Sequence, residues 1–162
     1  MSIKNNKPSK KSIFKQGYYT PQYRDKYIGG GDIIFRSSWE YKFMVWCDNH
    51  DKVVAWSSEP IEIKYISRKD NRPHRYYPDF YFKADQGDGT FKEYLVEIKP
   101  KSQIQKPTMP KKTSRKSIES YKFLCEAYVK NMDKYAAAKE YCKGRNWNFI
   151  VLTEDTIGNG LR

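Results

Sequence analysis

Histidine and cysteine are scarce in this chain: His50 and His74 are the only histidines, and Cys47, Cys125 and Cys142 the only cysteines, in 162 residues. The two histidines stand far apart in sequence, which argues against a histidine-based metal centre. Three cysteines, an odd number without metal-type spacing, suit neither a zinc cluster nor a disulfide framework. Buried free thiols in a reducing compartment are expected instead. No long apolar run is present, so no membrane-spanning helix is expected. Lysines near the N-terminus are not followed by an apolar stretch, which argues against a secretory leader. The one glycine run, Gly29-Gly30-Gly31, lacks the lysine and serine of a phosphate loop, so it carries no nucleotide-binding reading.

Acidic residues are missing from two segments. Residues 1–16 hold Lys4, Lys7, Lys10, Lys11 and Lys15 and no acid, and residues 99–116 hold Lys99, Lys101, Lys106, Lys111, Lys112, Arg115 and Lys116 and no acid. These twelve side chains equal the whole net charge of +12, so the rest of the chain is balanced. Two basic segments around a balanced core point to a polyanion, and nucleic acid is the commonest one. A solvated tail and a mobile loop are the alternative. The organisation read from this is a flexible basic arm over residues 1–17 and one domain over 18–162 with a basic loop at 100–116. Fourteen tyrosines and four tryptophans supply the buried area that a modest aliphatic content does not.

Along the chain, residues 18–31 are rich in Tyr, Pro and Gly and read as irregular. Ser37 or Ser38 can cap a helix to about Asn49, with Glu40 three residues after Ser37 as in a capping box. Trp39, Phe43, Trp46 and His50 form one apolar face; Glu40, Phe43, Met44 and Cys47 form an overlapping one. Strands are expected at Val53–Ser57, Ile61–Tyr65, Arg75–Lys83 and Phe91–Lys99, with turns at Ser67–His74 and around Gly87-Asp88-Gly89. Pro100, Pro107 and Pro110 predict an irregular basic segment. A helix follows from about Ser117 to Lys143, with a break near Asn131 as one option and Gly144 to end it. Asn148–Thr153 reads as a strand buried on both faces. The sum is an α/β domain with a mixed central sheet flanked by helices.

Two short motifs carry the chemistry. Pro78-Asp79 opens an aromatic strand, and Glu97-Ile98-Lys99 ends an otherwise apolar one. Side chains two apart on a strand share a face, so Glu97 and Lys99 belong together, and a carboxylate in an apolar strand needs a partner or a metal. With Asp79 alongside, two carboxylates and an ammonium meet in a small volume. That set suits a divalent cation and an attacking water. A structural ion pair between Lys99 and Asp79 or Glu97 is the competing reading. His74 and Arg75, beside the Pro-Asp strand, are candidates for phosphate contact, with surface exposure as the alternative. Lys101, Gln103 and Gln105, just past Lys99, are candidates for DNA contact, and so are Lys106, Lys111, Lys112, Arg115, Lys116 and the lysines of the arm. Tyr76, Tyr77, Phe80, Tyr81 and Phe82 read as packing rather than as base-stacking platforms.

Glu40, Pro78-Asp79 and Glu97-Ile98-Lys99, in that order, resemble the PD-(D/E)XK superfamily of restriction-like nucleases. The surroundings, including Ala136-Ala137-Ala138-Lys139 and the strand ending at Thr153-Glu154, resemble its TnsA-like branch. Small size and a basic arm are most similar to the head completion nucleases of T4-like phages. The resemblance spans roughly residues 36–155 and implies a restriction-endonuclease-like fold and a metal-dependent deoxyribonuclease. It implies Asp79 and Glu97 as metal ligands with the backbone carbonyl of Ile98. Glu40 would bind the same ion, a second one or a bridging water, and Lys99 would orient and help deprotonate the nucleophilic water. Magnesium is the ion implied, with manganese able to substitute. The same resemblance implies DNA held largely by its backbone, head or portal proteins as partners, and action in the host cytoplasm during phage assembly, with retention in the virion as a further expectation. The rival readings are a non-cutting DNA-binding assembly or connector protein and a nuclease subunit of a transposase- or junction-resolving machine.

Overall fold

The computed structural model describes residues 16–159. Lys4, Lys7, Lys10, Lys11 and Lys15 of the expected arm lie outside the described residues. Among the described residues no helix is long and apolar enough to cross a membrane.

A four-stranded mixed sheet positions everything else. Its strands are β3 (Val53–Ser58), β6 (Phe80–Asp85), β7 (Phe91–Ile98) and β8 (Asn148–Leu152), in the order β3-β6-β7-β8. The first three pair antiparallel, and β8 runs parallel to β7. That parallel pairing requires a crossover, supplied by the long helix α3 (Arg115–Lys143) after a four-residue helix α2 (Lys101–Ile104). Two smaller ribbons flank the sheet: β1 (Gly17–Tyr19) with β2 (Ile33–Phe35), and β4 (Ile63–Ser67) with β5 (Arg72–Tyr76). Helix α1 (Ser38–Asn49) and the terminal helix α4 (Glu154–Gly158) complete the chain.

Strand alternation divides the apolar residues between two cores. Phe80 and Phe82 of β6 and Val96 and Ile98 of β7 pack with Phe43, Met44 and Cys47 of α1. Tyr81 and Leu95, one residue out of phase, pack with Ile63, Tyr65 and Tyr76 of the β4-β5 ribbon and Ala138 and Cys142 of α3. Glu97 follows Leu95 by two, so the same alternation aims it at the α3 side, where it is 2% exposed.

Asp48 fastens the N-terminal strap. Fully buried on α1, it accepts from the Tyr19 hydroxyl at 2.9 Å and from the backbone N–H groups of Gln22 and Tyr23 at 2.6 and 3.0 Å. A buried carboxylate without such donors is costly. On the other side of the sheet, Asp133 of α3 accepts from Arg68 Nε at 2.5 Å and from the Arg68 backbone N–H at 2.9 Å, which holds the β4-β5 turn against the helix.

Several elements differ from the sequence expectation. The single strand expected over Arg75–Lys83 is two strands in different sheets, because Pro78 has no N–H to give to a ladder and the chain changes partners there. The strand expected from Ile61 begins at Ile63, and its turn is shorter, closing through Asn71 at φ 53, a conformation asparagine tolerates. Residues 18–31, read as irregular, carry most of β1 and a 3₁₀ turn at Arg24–Lys26. The basic segment contains α2, and α3 is unbroken at Asn131. Strand β8 is the edge strand of the sheet among the described residues, and its residues are mostly half-buried, not buried on both faces. On α1, Phe43, Met44 and Cys47 are the buried face, while Trp39 and Trp46 are half-buried. Cys47 and Cys142 are buried free thiols, and Cys125 is half-buried.

Candidate active site

The antiparallel register of β6 and β7 brings the two motifs together. Phe80 lies opposite Val96, so Asp79, one step before β6, falls beside Glu97. Its Oδ2 accepts the backbone N–H of Ile98 at 2.7 Å. Glu97 Oε1 meets Lys99 Nζ at 3.0 Å, and its Oε2 accepts from the Tyr76 hydroxyl at 2.8 Å. Lys99 is 27% exposed at its side chain, so the pair reaches from the interior to the surface.

Glu40 approaches from α1. Ser37 Oγ caps the helix by accepting the Glu40 N–H at 3.1 Å, and the Glu40 carboxylate accepts from Ser37 Oγ at 3.1 Å and from the Arg36 N–H at 2.8 Å. This departs from the usual capping box, in which the side chain returns to the N-cap residue's own N–H. Glu40 lines one cleft of about 230 Å³ with Arg36, Ser58, Glu59, Asp79, Phe80 and Lys99. A second depression of about 260 Å³, bordered by Trp46, His50, Lys52 and Tyr94, contains none of the candidate residues.

The electrostatics are those of crowded acid. Burial raises Asp79, and the negative charge of Glu97 raises it further, to about 8 against the pull of Lys99 and the Ile98 N–H. Burial also raises Glu40, partly offset by its bonds to Arg36 and Ser37. For Lys99 burial acts downward, but the charges of Glu97 and Asp79 outweigh it and the ammonium titrates above its ordinary range. Three carboxylates therefore surround one committed lysine. A buried ion pair stabilises a fold little or not at all, and Lys99, shared with Glu97, offsets the Asp79 charge only in part.

Arg36 and Glu59 close the outer rim. Arg36 Nη1 donates to Glu59 Oε1 at 2.9 Å, with the side chains 41% and 51% exposed. Glu59 has φ 45, in the left-handed region, and its N–H donates to the Asp79 carbonyl at 2.9 Å. Such a backbone costs a non-glycine residue on the order of 1–3 kcal/mol. An exposed ion pair contributes about 0–1 kcal/mol, too little to offset it.

Among the described residues, no three His, Cys, Asp or Glu side chains converge closely enough to hold an ion together. The donor set nevertheless fits a hard divalent cation. Asp79 and Glu97 bring carboxylates side by side at Ile98, and the raised Asp79 marks negative charge that a cation would relieve. Magnesium is usually held by one or two carboxylates, the remaining positions going to water and substrate phosphate. Glu40 is committed to the helix cap by its bonds to Arg36 and Ser37.

The remaining candidates lie elsewhere. His74 pairs with Asp70 at 2.8 Å and Arg75 with Glu62 at 3.7 Å, both on the β4-β5 ribbon, so they are not drawn into the cleft. Lys101 Nζ is held by Asp155 at 2.7 Å, and its N–H by Glu154 at 2.8 Å. Gln103 gives its carbonyl to Asn131 at 3.2 Å and Gln105 closes α2. Both side chains are exposed, as are Lys106, Lys111, Lys112 and Lys116, while Arg115 pairs with Glu119.

Sequence reasoning did not reach Arg36, Glu59, Tyr76 or the α3 pair Lys134 and Tyr135. Lys134 Nζ lies 5.2 Å from the Tyr76 ring centroid, and burial lowers its ammonium against the pull of Glu97. The buried Tyr135 hydroxyl has no partner among the described residues and is raised by burial and then by Glu97 and Asp79. Tyr76 was legible only as a packing aromatic; its position two before Pro78 was the available signal.

Comparison with known proteins agrees with this geometry. Residues 50–154 match the family model of the TnsA-like endonuclease N-terminal domain. That stretch contains Asp79, Glu97 and Lys99 and leaves out Arg36 and Glu40. Over 144 residues the chain is 33% identical to the head completion nuclease of Enterobacteria phage T4, covering 87% of this chain and 92% of that protein.

Proposed function

The chain belongs to the TnsA-like endonuclease N-terminal family, and from that membership we propose that it is a magnesium-dependent deoxyribonuclease acting in phage head completion. The observation that carries the reading is the surplus of buried acid. Asp79 sits on the Ile98 N–H beside a Glu97 whose charge Lys99 has already taken. The name of the T4 relative supports the place in head completion.

Asp79, Glu97 and the Ile98 carbonyl would hold the ion, and Glu40 would reach it through a water. When bound, the metal supplies Lewis acidity at the phosphate and a more acidic water. The chain's own residues do the rest. Lys99, kept charged by Glu97, donates hydrogen bonds that orient a water and screens charge gathering on the phosphate. Its raised pKa favours those roles over proton abstraction. Tyr76 fixes the Glu97 carboxylate so that its other oxygen stays on Lys99.

DNA would be held mainly by its phosphates, through Lys106, Lys111, Lys112 and Lys116 around the cleft strand's exit and the lysines of residues 1–15. Head or portal proteins are the partners this role implies, and the host cytoplasm during assembly is the place. The test is incubation of the purified chain with linear, circular and single-stranded DNA, with magnesium or with chelator. Cutting in magnesium alone is expected, and the substrate pattern separates endonuclease from exonuclease. DNA binding without cutting in any divalent metal would make the chain an assembly protein instead.

A further inference from the structure

Arg36 is the second cation of the cleft, and its counter-ion is the loosely held one. Lys99 is bound to a carboxylate that is 2% exposed, so that partner has nowhere to go. The Arg36–Glu59 pair is open to water on both sides. It can part without leaving a buried charge behind. Among the described residues, Nη1 to Glu59 is the one hydrogen bond of the guanidinium, so most of its donor fork remains for another acceptor.

Glu59 is held in place by unusual means. Its left-handed backbone is one that glycine or asparagine would adopt at less cost, and its N–H is tied to the Asp79 carbonyl. The exposed pair does not repay that strain; the N–H bond to the Asp79 carbonyl holds the backbone there and leaves the Glu59 carboxylate at the cleft mouth. A carboxylate and a phosphate each present a pair of oxygens to a guanidinium. A carboxylate docked on Arg36 at the mouth of this cleft therefore occupies an anion position adjoining Asp79 and Lys99.

We propose that Arg36 grips a DNA phosphate next to the bond that is cut, and that Glu59 is a displaceable counter-ion standing in that phosphate's place until DNA arrives. This rests on the nuclease reading and adds to it a substrate-binding residue. The Arg36 N–H also holds Glu40 at 2.8 Å, so docking of the phosphate and the position of Glu40 are linked through one residue.

The test is equilibrium binding of a short fluorescein-labelled duplex by the full chain in chelator, with sodium chloride varied. Arg36→Ala is expected to weaken binding about 10- to 100-fold and to lower the salt slope by about 1. Glu59→Gln, nearly isosteric, should tighten binding by about 3- to 10-fold by freeing the guanidinium. In the double variant the gain from Glu59→Gln should disappear, because it acts through Arg36. Arg36→Gln replaces the alanine in this cycle if Arg36→Ala does not fold. Unchanged affinity and slope on removing Arg36 would overturn the proposal. So would a Glu59→Gln gain that persists in full without Arg36, since Glu59 would then be only a repelling charge. Cleavage by the wild-type chain is scored separately with magnesium, so a protein that does not cut refutes the nuclease reading while the binding cycle still judges Arg36.

Discussion

The Asp79 carboxylate accepts the N–H of Ile98 at 2.7 Å, the residue that separates Glu97 from Lys99. One hydrogen bond thus joins the two motifs and makes the position of Asp79 depend on the register of β7. A slip of one residue would send Glu97 to the opposite face and dissolve the site. Like charges placed side by side across strands are destabilising, and that cost is the physical basis of the metal site proposed above.

That cost predicts a pH dependence in the metal-free protein. Asp79 titrates near 8 in the fold, above the ordinary carboxylate value of about 4. A raised acid contributes stability that is present below the ordinary value and lost as pH rises through the folded one. Asp79→Asn can still accept from Ile98 and carries no charge. Its Tm should match wild type near pH 4 and exceed it at pH 8–9, each kcal/mol shifting Tm by about 2–4 °C in a chain of this size. Magnesium should raise the wild-type Tm and not that of the variant. An equal Tm difference at every pH would contradict this.

Tyr76→Phe tests the hold on Glu97. The lost bond to a buried carboxylate should cost about 1.5–3 kcal/mol in urea unfolding. Cleavage should fall by less than about tenfold, because Lys99 still holds the other oxygen.

Asp48→Ala tests the strap. Removing the buried acceptor of the Tyr19, Gln22 and Tyr23 bonds leaves three partly buried donors unpaired and should cost about 2–4 kcal/mol. Limited proteolysis should then cut between residues 20 and 32 while the β3-β6-β7-β8 sheet stays protected.

The site was legible where strand period decides it. Glu97 and Lys99 share a face because they are two apart, and Ser37 with Glu40 announced the helix start. Legibility ended where tertiary pairing takes over. Nothing local to Arg75–Lys83 says that β5 and β6 join different sheets, although Pro78 marks the break. Arg36 and Glu59 are 23 residues apart, and only the close of β3 against the start of α1 brings them together. The phosphate roles read for His74 and Arg75 came from nearness in sequence to Pro78-Asp79. The change of sheet at that proline instead leaves both side chains on the β4-β5 ribbon, paired with Asp70 and Glu62.

The basic segment should govern affinity more than cutting. Lys106, Lys111, Lys112 and Lys116 appear in no ion pair among the described residues, whereas Lys101 and Arg115 are paired with Asp155 and Glu119. Changing the first four together to Gln should lower the slope of log K against log salt by up to about 3–4. Changing Lys101 and Arg115 should lower it by much less. The reverse order would show that the ion pairs open on DNA.

For Glu97 and Lys99, the proposed reaction centre has a structural ion pair as its rival. Single-turnover cleavage of plasmid DNA with saturating protein, in magnesium and in chelator, tests it for wild type, Lys99→Ala and Glu97→Gln. Wild type should cut in magnesium and not in chelator. Lys99→Ala should lose on the order of 10²–10³ in rate, Glu97→Gln at least as much, with both variants still folded and still binding DNA. Wild-type rates in either folded variant would make Glu97 and Lys99 a structural ion pair, and undiminished cutting in chelator would rule out a metal-dependent reaction.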